Sequence, residues 1–577
     1  MTTQQVLSKY DEAGKKGLYY NEIRSDLSNV SLSERSTDEF KYEMLAFSLV
    51  GSSSDKDWYT YYGPLTTGRK EDGTPVYYPS LESITNEAVL YWEQRLLQTK
   101  NPLLRMQYAG IIWDFKKKVC QDKYPSNLYS DYVNAMLDVV NGDYEPHDVL
   151  TVNVLERLSD FTGYNKTYKE EMIKAFQRFD RERAKDDASA RLWGAYIQFL
   201  TSHKGWVEDV EEQRCVQSCE ERLARLASPS QVNPWAVKEQ ALALADYYKS
   251  RTKPEEIRRV LRVMEQSFRN IKDSMPPLQW MGNLEMVANS FANYNLADEK
   301  ARLLKEIEQA GEQSLTSMQA HKMELNIPKE AYSELKDFLT HGDTKEQYET
   351  FCLYYIPRKD QLTNQLKKLS QQFPLVYLMP TQLMDEKGRP SSVVGGIESD
   401  FDGQLILHVC KSIQFNSSFL HFGIKELEKT GALSIDNIMS KITGSPIFSS
   451  NRIEIIRQAL LAYKSENYIT MCHLLVPQIE DAFRLLVDKS GSPVIKPQKK
   501  SGGFTQRTLD EILRDKSISN TFGDDFAYYS RIVLTDQRGM NIRNNLCHGL
   551  VAPSFFNETV ADRILHILCV LSLVCYK

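Results

Sequence analysis

Along most of the chain, apolar residues recur three and four positions apart, the spacing that lays one greasy stripe along a helix. The clearest stretch runs from about 131 to 365, where acidic and basic residues alternate around such stripes and helices are expected almost throughout. Before it, a helix is predicted from about Leu81 to Gln98. Another begins at Asn101-Pro102, a capping residue followed by proline at the first helical position, with Leu104, Tyr108, Ile111, Ile112 and Phe115 on one face. Between 373 and 410 the period changes. FPLVYLMP and GQLILHVC are rich in strand-favouring residues and flank the turn DEKGRP, so a small β element is predicted there. Short helices follow from Ser418 to Ile442, and Gly444, Pro446 and a serine pair mark a boundary.

The segment 449–577 has the pattern of a compact helical bundle. Helix one is expected from Ser450 to Lys464, with Ile453, Ile456, Leu460 and Leu461 inward. Helix two is expected from Glu466 to Asp488, with a stripe of Ile469, Cys472, Leu475, Ile479, Phe483 and Leu486. GSPVIKPQKKSGGFTQ has the composition of a mobile loop. Thr508 and Glu511 have capping-box spacing for LDEILRD, and FAYYSRIVL and VADRILHILCVLSLV complete the bundle. The fold class expected is mainly α, in four regions: an N-terminal helical domain with a long loop (1–130), a solenoid-like helical region (131–365), a small β-containing connector (366–448) and the bundle (449–577).

One internal repeat supports the solenoid reading. Ala245 to Gln266 aligns without a gap on Ala288 to Gln309, an offset of 43 residues, with identities that include Glu256/Glu299, Arg259/Arg302 and Glu265/Glu308. Such a region either is a curved scaffold that binds a protein partner or positions substrate, or merely packs.

Composition changes this picture little. Of 577 residues 42% are hydrophobic and 26% charged, an ordinary globular balance that argues against disorder. The start lacks the basic-then-apolar pattern of a secretory leader, and the run Ile564 to Val574 is too short to span a bilayer, so a cytoplasmic protein without a membrane segment is expected. The nine scattered cysteines fit reduced thiols. Cys215 and Cys219, with His203 upstream, have no second ligand pair and fit one helix face better than zinc. The net charge of −6 carries no signature of nucleic-acid binding, but from Arg452 onward 16 Lys and Arg face 13 Asp and Glu, so RNA could approach that end.

Within the bundle lies GMNIRNNLCHG, residues 539–549. Ile542 and Leu546 are spaced to anchor a short helix inward. Asn544 and His548 share an adjacent face, Arg543 can swing toward the same anion, and Gly549 suits the helix end. An imidazole titrates near neutrality and can move the proton of a ribose 2′-hydroxyl or a leaving 5′-oxygen. A guanidinium can hold phosphoryl oxygens as charge builds, and Asn544 could orient the imidazole or donate to phosphate. That chemistry needs no metal or cofactor. His473 and His566 lie on apolar faces and are expected to be buried and structural.

This segment resembles the HEPN superfamily, whose nucleases carry Arg, a polar residue and His in R-polar-x-x-x-H spacing. More narrowly it is similar to a mostly bacterial family marked by RNxxxHG, here Arg543, Asn544, His548 and Gly549. HLLVPQIEDAFRLLVDKSG, DGTPVYYPS and YWEQRLLQTKNPLLRMQYAGIIW also look like that family, and the resemblance extends over most of the chain. It implies an endoribonuclease, a toxin or antiviral defence effector, whose two motifs face each other across a homodimer formed by the C-terminal bundle. It further implies that Glu480 supports Arg543 or His548, with Asn545 beside them. Lys496, Lys499, Lys500 and Arg538 are the candidate RNA-binding cations. The alternatives are a non-catalytic RNA- or nucleotide-binding dimerisation protein whose helical body recruits a partner, and a purely structural Arg543 and His548. No GxxxxGK[ST], HExxH, placed GxSxG or paired CxxC signature competes.

Overall fold

The computed structural model describes residues 2–51, 58–69, 74–145, 147–162, 165–185, 187, 192–228, 233–318, 327–498 and 502–575. The protein is mainly α-helical. Strands occur, among the described residues, only as small antiparallel pairs. No helix among these residues is long and apolar enough to cross a membrane. The chain packs as two compact units, Met1–Leu304 and Lys305–Lys577, so the helical region 131–365 contributes to both.

In the first unit the helix Pro102–Phe115 starts as its sequence predicts, with the Asn101 side chain accepting from the Leu103 amide and proline in the first turn. It is buried nearly all round. The predicted helix from Leu81 is instead a short 3-10 turn, Leu81–Ser83, followed by Asn86–Gln98, capped by Thr85. Buried Glu43 receives the hydroxyls of Tyr91 (2.8 Å) and Tyr108 (2.6 Å) and pairs with Arg95 at 2.9 Å, which joins these helices to Asp38–Ser48. Cys215 and Cys219 lie buried one turn apart on Asp209–Leu226, a packed helix face as expected.

The repeat corresponds to helix pairs: Pro234–Ser250 with Pro254–Arg269, and Pro277–Asn293 with Ala297–Ser317. Its shared residues form one recurrent clasp. Arg259 bonds Glu256, three residues back on its own helix, and Glu220 on Asp209–Leu226, two helices before it. Arg302 bonds Glu299 in the same way and reaches back to Glu265. A third copy, which sequence alignment did not yield, is Arg214, paired with Glu211 at 2.9 Å and with Asp180 of Lys166–Glu182 at 2.8 Å.

The second unit has one continuous core that runs from Leu335 to Leu571, so the C-terminal bundle shares its interior with helices from 335 to 447. The β prediction around 373–410 is corrected in two places. FPLVYLMP begins with the short helix Pro374–Leu378, which Pro374 starts at its first position, and GQLILHVC belongs to the helix Phe401–Phe415. There Asp400 caps the Gly403 amide, and Leu405, Ile406, Val409 and Ile413 are buried at helical spacing that a six-residue window does not reveal. The strand pair is Thr381–Met384 with Pro390–Val394 around the predicted turn. The loop expected at 491–506 contains a second hairpin, Ile495–Pro497 against Phe504–Gln506. Helices Ile453–Lys464 and Tyr468–Lys489 form as expected, but Leu461 and Ile469 are exposed rather than inward.

Candidate functional site

The segment carrying Arg543 and His548 is delivered by a tight turn after the helix Asp524–Leu534. Arg538's backbone amide donates to the Asp536 carboxylate at 3.0 Å, and Met540 N donates to the Ile532 carbonyl at 2.9 Å. At Gly539 a Cβ would lie 2.4 Å from that same carbonyl, so glycine is required for the close approach. Asn541 then takes a left-handed conformation, φ 49°, and the short helix Ile542–Cys547 begins. Ile542 is fully buried and Leu546 packs against the core, as their spacing predicts. His548 ends the helix, and Gly549 follows at φ +61°, the residue that a left-handed helix end favours.

Arg543 is oriented by two partners. Its Nε donates to Glu480 at 2.8 Å and its Nη1 to the Asn544 side-chain Oδ1 at 3.1 Å, whereas Nη2 has no hydrogen bond among the described residues. Glu480 also receives Arg484 at 2.7 Å. Burial opposes the Glu480 charge, but Arg543 and Arg484 outweigh it and hold the carboxyl below its usual range. The same balance raises Arg543, where Glu480 overcomes desolvation. The pair is thus ionised on both sides at neutral pH, with the guanidinium a quarter exposed.

His548 is exposed, and among the described residues no group hydrogen-bonds its ring. Asn544 does not orient it. The Asn544 amide donates to Asn541 Oδ1 (2.7 Å) and to the Thr535 carbonyl (3.3 Å), so its polar atoms are spent on holding the turn and Arg543. Glu480 likewise serves Arg543, not the imidazole. Asn545 donates to the Met540 carbonyl at 3.3 Å, a bond internal to the segment. Cys547, His548, Gly549 and Leu550 form a continuous exposed run.

The candidate RNA-binding cations are otherwise engaged. Lys496 is held by both oxygens of Glu511, at 2.6 and 2.8 Å, and Lys496 together with Thr508 keeps the Glu511 carboxyl down at about 2. Arg538 bonds Asp536 and Asp402 at 3.0 and 2.9 Å, with Asp400 at 3.8 Å. Three carboxylates around one guanidinium leave no net positive patch there. Lys499 and Lys500 lie outside the described residues.

The structure also shows polar groups that sequence reasoning missed. His421 Nδ1 donates to the buried Asp562 carboxylate at 3.0 Å and lies 3.4 Å from Glu558, while the Tyr463 hydroxyl donates to Asp562 at 2.5 Å. His421, Glu558 and Asp562 are a group whose ligand atoms could hold a cation. Nothing local marks His421, which sits in SFLHFGIKEL and meets its partners from 137 or more residues away. His566 is buried as predicted. Its Nδ1 accepts from the Tyr529 hydroxyl at 3.3 Å and its Nε2 donates to the Cys352 carbonyl at 3.1 Å. His473, expected to be buried, is exposed and lies beside Phe556. Compared with known proteins, the chain matches no family model, and no curated protein is significantly similar to it.

Proposed function

We propose that this protein is an endoribonuclease of HEPN type that cleaves RNA through His548 and Arg543. The observation that carries this reading is the division of labour on one short helix. Arg543 is fixed by Glu480 and Asn544 with its Nη2 edge left for a phosphoryl oxygen, while the His548 imidazole is exposed and unencumbered. His548 takes the proton of the ribose 2′-hydroxyl, O2′ attacks phosphorus, and the 5′-oxygen leaves with a proton. The products are a 2′,3′-cyclic phosphate and a 5′-hydroxyl. Arg543 stabilises the charge that builds on the phosphoryl oxygens. None of these steps calls on a metal or cofactor.

One imidazole does not readily serve as base and acid in the same turnover, so the reading includes a homodimer in which His548 of a second copy supplies the other role. Leu550, 46% exposed immediately after the motif, supports a contact at this face. As in the family it resembles, the enzyme is read as a toxin or antiviral effector, with the N-terminal helical region recruiting or sensing a partner.

The test is digestion of end-labelled RNA in EDTA with purified wild type and His548→Ala. Wild type should leave cyclic phosphate ends, and the variant should lose about 100-fold or more of the rate. Equal cutting by both removes His548 from the mechanism. The half-buried Arg543–Glu480 pair favours one second reading, a structural clamp in a non-catalytic RNA-binding protein. RNA binding without cleavage, weakened by Arg543→Ala and indifferent to His548→Ala, would establish it.

A further inference from the structure

The second unit also contains a cleft of about 700 Å³ whose lining includes Phe338, Tyr354, Arg358, Gln361, Asn416 and Arg563. Arg563 is the unusual member. Its side chain is 1% exposed, its Nη2 donates to the Ile413 carbonyl at 2.8 Å, and its Nε has no acceptor among the described residues. Among the described residues no carboxylate pairs with it. Asp562, its neighbour in sequence, is committed to Tyr463 and His421. Buried cations are ordinarily paired, because removal from water is compensated only by an opposite charge. The counter-charge for Arg563 is therefore expected from outside the chain, and the cleft is the route by which it would arrive.

The rest of the lining indicates what accompanies that charge. Phe338 and Tyr354 are each about half exposed, with ring centroids 5.2 Å apart, and leave apolar faces in water at the cleft. Gln361 and Gln365, four apart on the helix Lys359–Gln372, carry amides that can donate and accept. Among the described residues Arg358 has only a 3.5 Å contact with Asp525, and it is 57% exposed, so a second guanidinium is at hand. Among the described residues Glu334 is the one carboxylate lining the cleft, and it is exposed.

We propose that this cleft binds a nucleoside monophosphate, with the phosphate on Arg563 and Arg358, the base against Phe338 and Tyr354, and the Gln361 and Gln365 amides at the base edge. Two guanidiniums suit a dianion, aromatic faces suit a planar base, and the volume is that of a small-molecule site. This inference does not rest on RNA cleavage at His548.

Calorimetric titration of the full chain with AMP, GMP, CMP and UMP, with the matching nucleosides and with inorganic phosphate, tests it. At least one monophosphate should bind, and its nucleoside should bind about 10-fold or more weakly. Arg563→Met should abolish binding while keeping or raising the melting temperature, since it removes an uncompensated buried cation. Phe338→Ala, at an exposed position, should weaken binding about 10-fold through lost stacking, and His548→Ala should bind as wild type. The proposal is overturned if none of the four monophosphates binds or if folded Arg563→Met binds as tightly as wild type. Should Arg563→Met fail to fold, unchanged affinity in both Phe338→Ala and Arg358→Ala would overturn it equally.

Discussion

The repeat region of the first unit and the core of the second are both helical, yet they are held together over very different chain distances. In the repeats, each Glu-x-x-Arg clasp reaches only to the helix two before its own, 34 residues away for Arg214, 39 for Arg259 and 37 for Arg302. In the second unit, Arg563 bonds a carbonyl 150 residues away, His566 one 214 away, and Tyr348 meets Ser572 across 224. Nearest-neighbour contacts make stability a sum of local terms, whereas a core closed by distant segments forms or fails as a whole.

The largest effect that can break this contrast is a cavity in the shared core. Phe483 is fully buried on Tyr468–Lys489, and Phe483→Ala should cost about 3–5 kcal/mol. Hydrogen exchange should then rise together across 335–571 and leave the repeat helices protected. A loss confined to 468–489 would show that the second unit is not one cooperative body.

Acid gives the next largest effect. Burial, with the Arg563 charge beside it, pushes the His566 imidazole down to about 3 from its ordinary 6.5. The folded form thus binds the proton less readily than the unfolded one. The stability conferred by neutral His566 is complete above pH 6.5 and is lost progressively as pH falls toward 3, by about 1.4 kcal/mol per pH unit. Urea melts at pH 7 and pH 5 should differ by about 2 kcal/mol more in wild type than in His566→Asn. Equal differences would mean that His566 does not govern this slope.

The smallest effect sharpens the other side. Arg259 is nearly half exposed, so Arg259→Ala should cost only about 0.5 kcal/mol, felt as faster exchange in 209–269 and nowhere in the second unit. A global fall in stability would show the clasp to be more than a local fastening.

The same contrast explains what was legible in advance. Helix Pro102–Phe115, the Thr508 capping box and the Gly549 helix end were readable because each depends on residues within a few turns of one another, and the 43-residue repeat because the chain can be aligned on itself. Short windows misled where local propensity competed with a longer period. GQLILHVC has strand-favouring residues, but capping by Asp400 and burial at Leu405, Ile406, Val409 and Ile413 make it helical. The third clasp at Arg214 escaped because it stands 45 residues before Arg259 rather than 43, although Glu211, Arg214 and Glu220 repeat the spacing of Glu256, Arg259 and Glu265.

At the candidate site, the sequence alone determined a short helix with Ile542 inward, its end at Gly549, and an arginine and a histidine on its outer side, since all of these follow from spacing and backbone preference. Only the tertiary structure decided that Glu480 clamps Arg543, that Arg538 and Lys496 are neutralised by carboxylates, that His473 is exposed, and that Arg563 is buried without a counter-charge. Those facts depend on which segments, up to 150 residues apart, are brought together, and no local pattern encodes that.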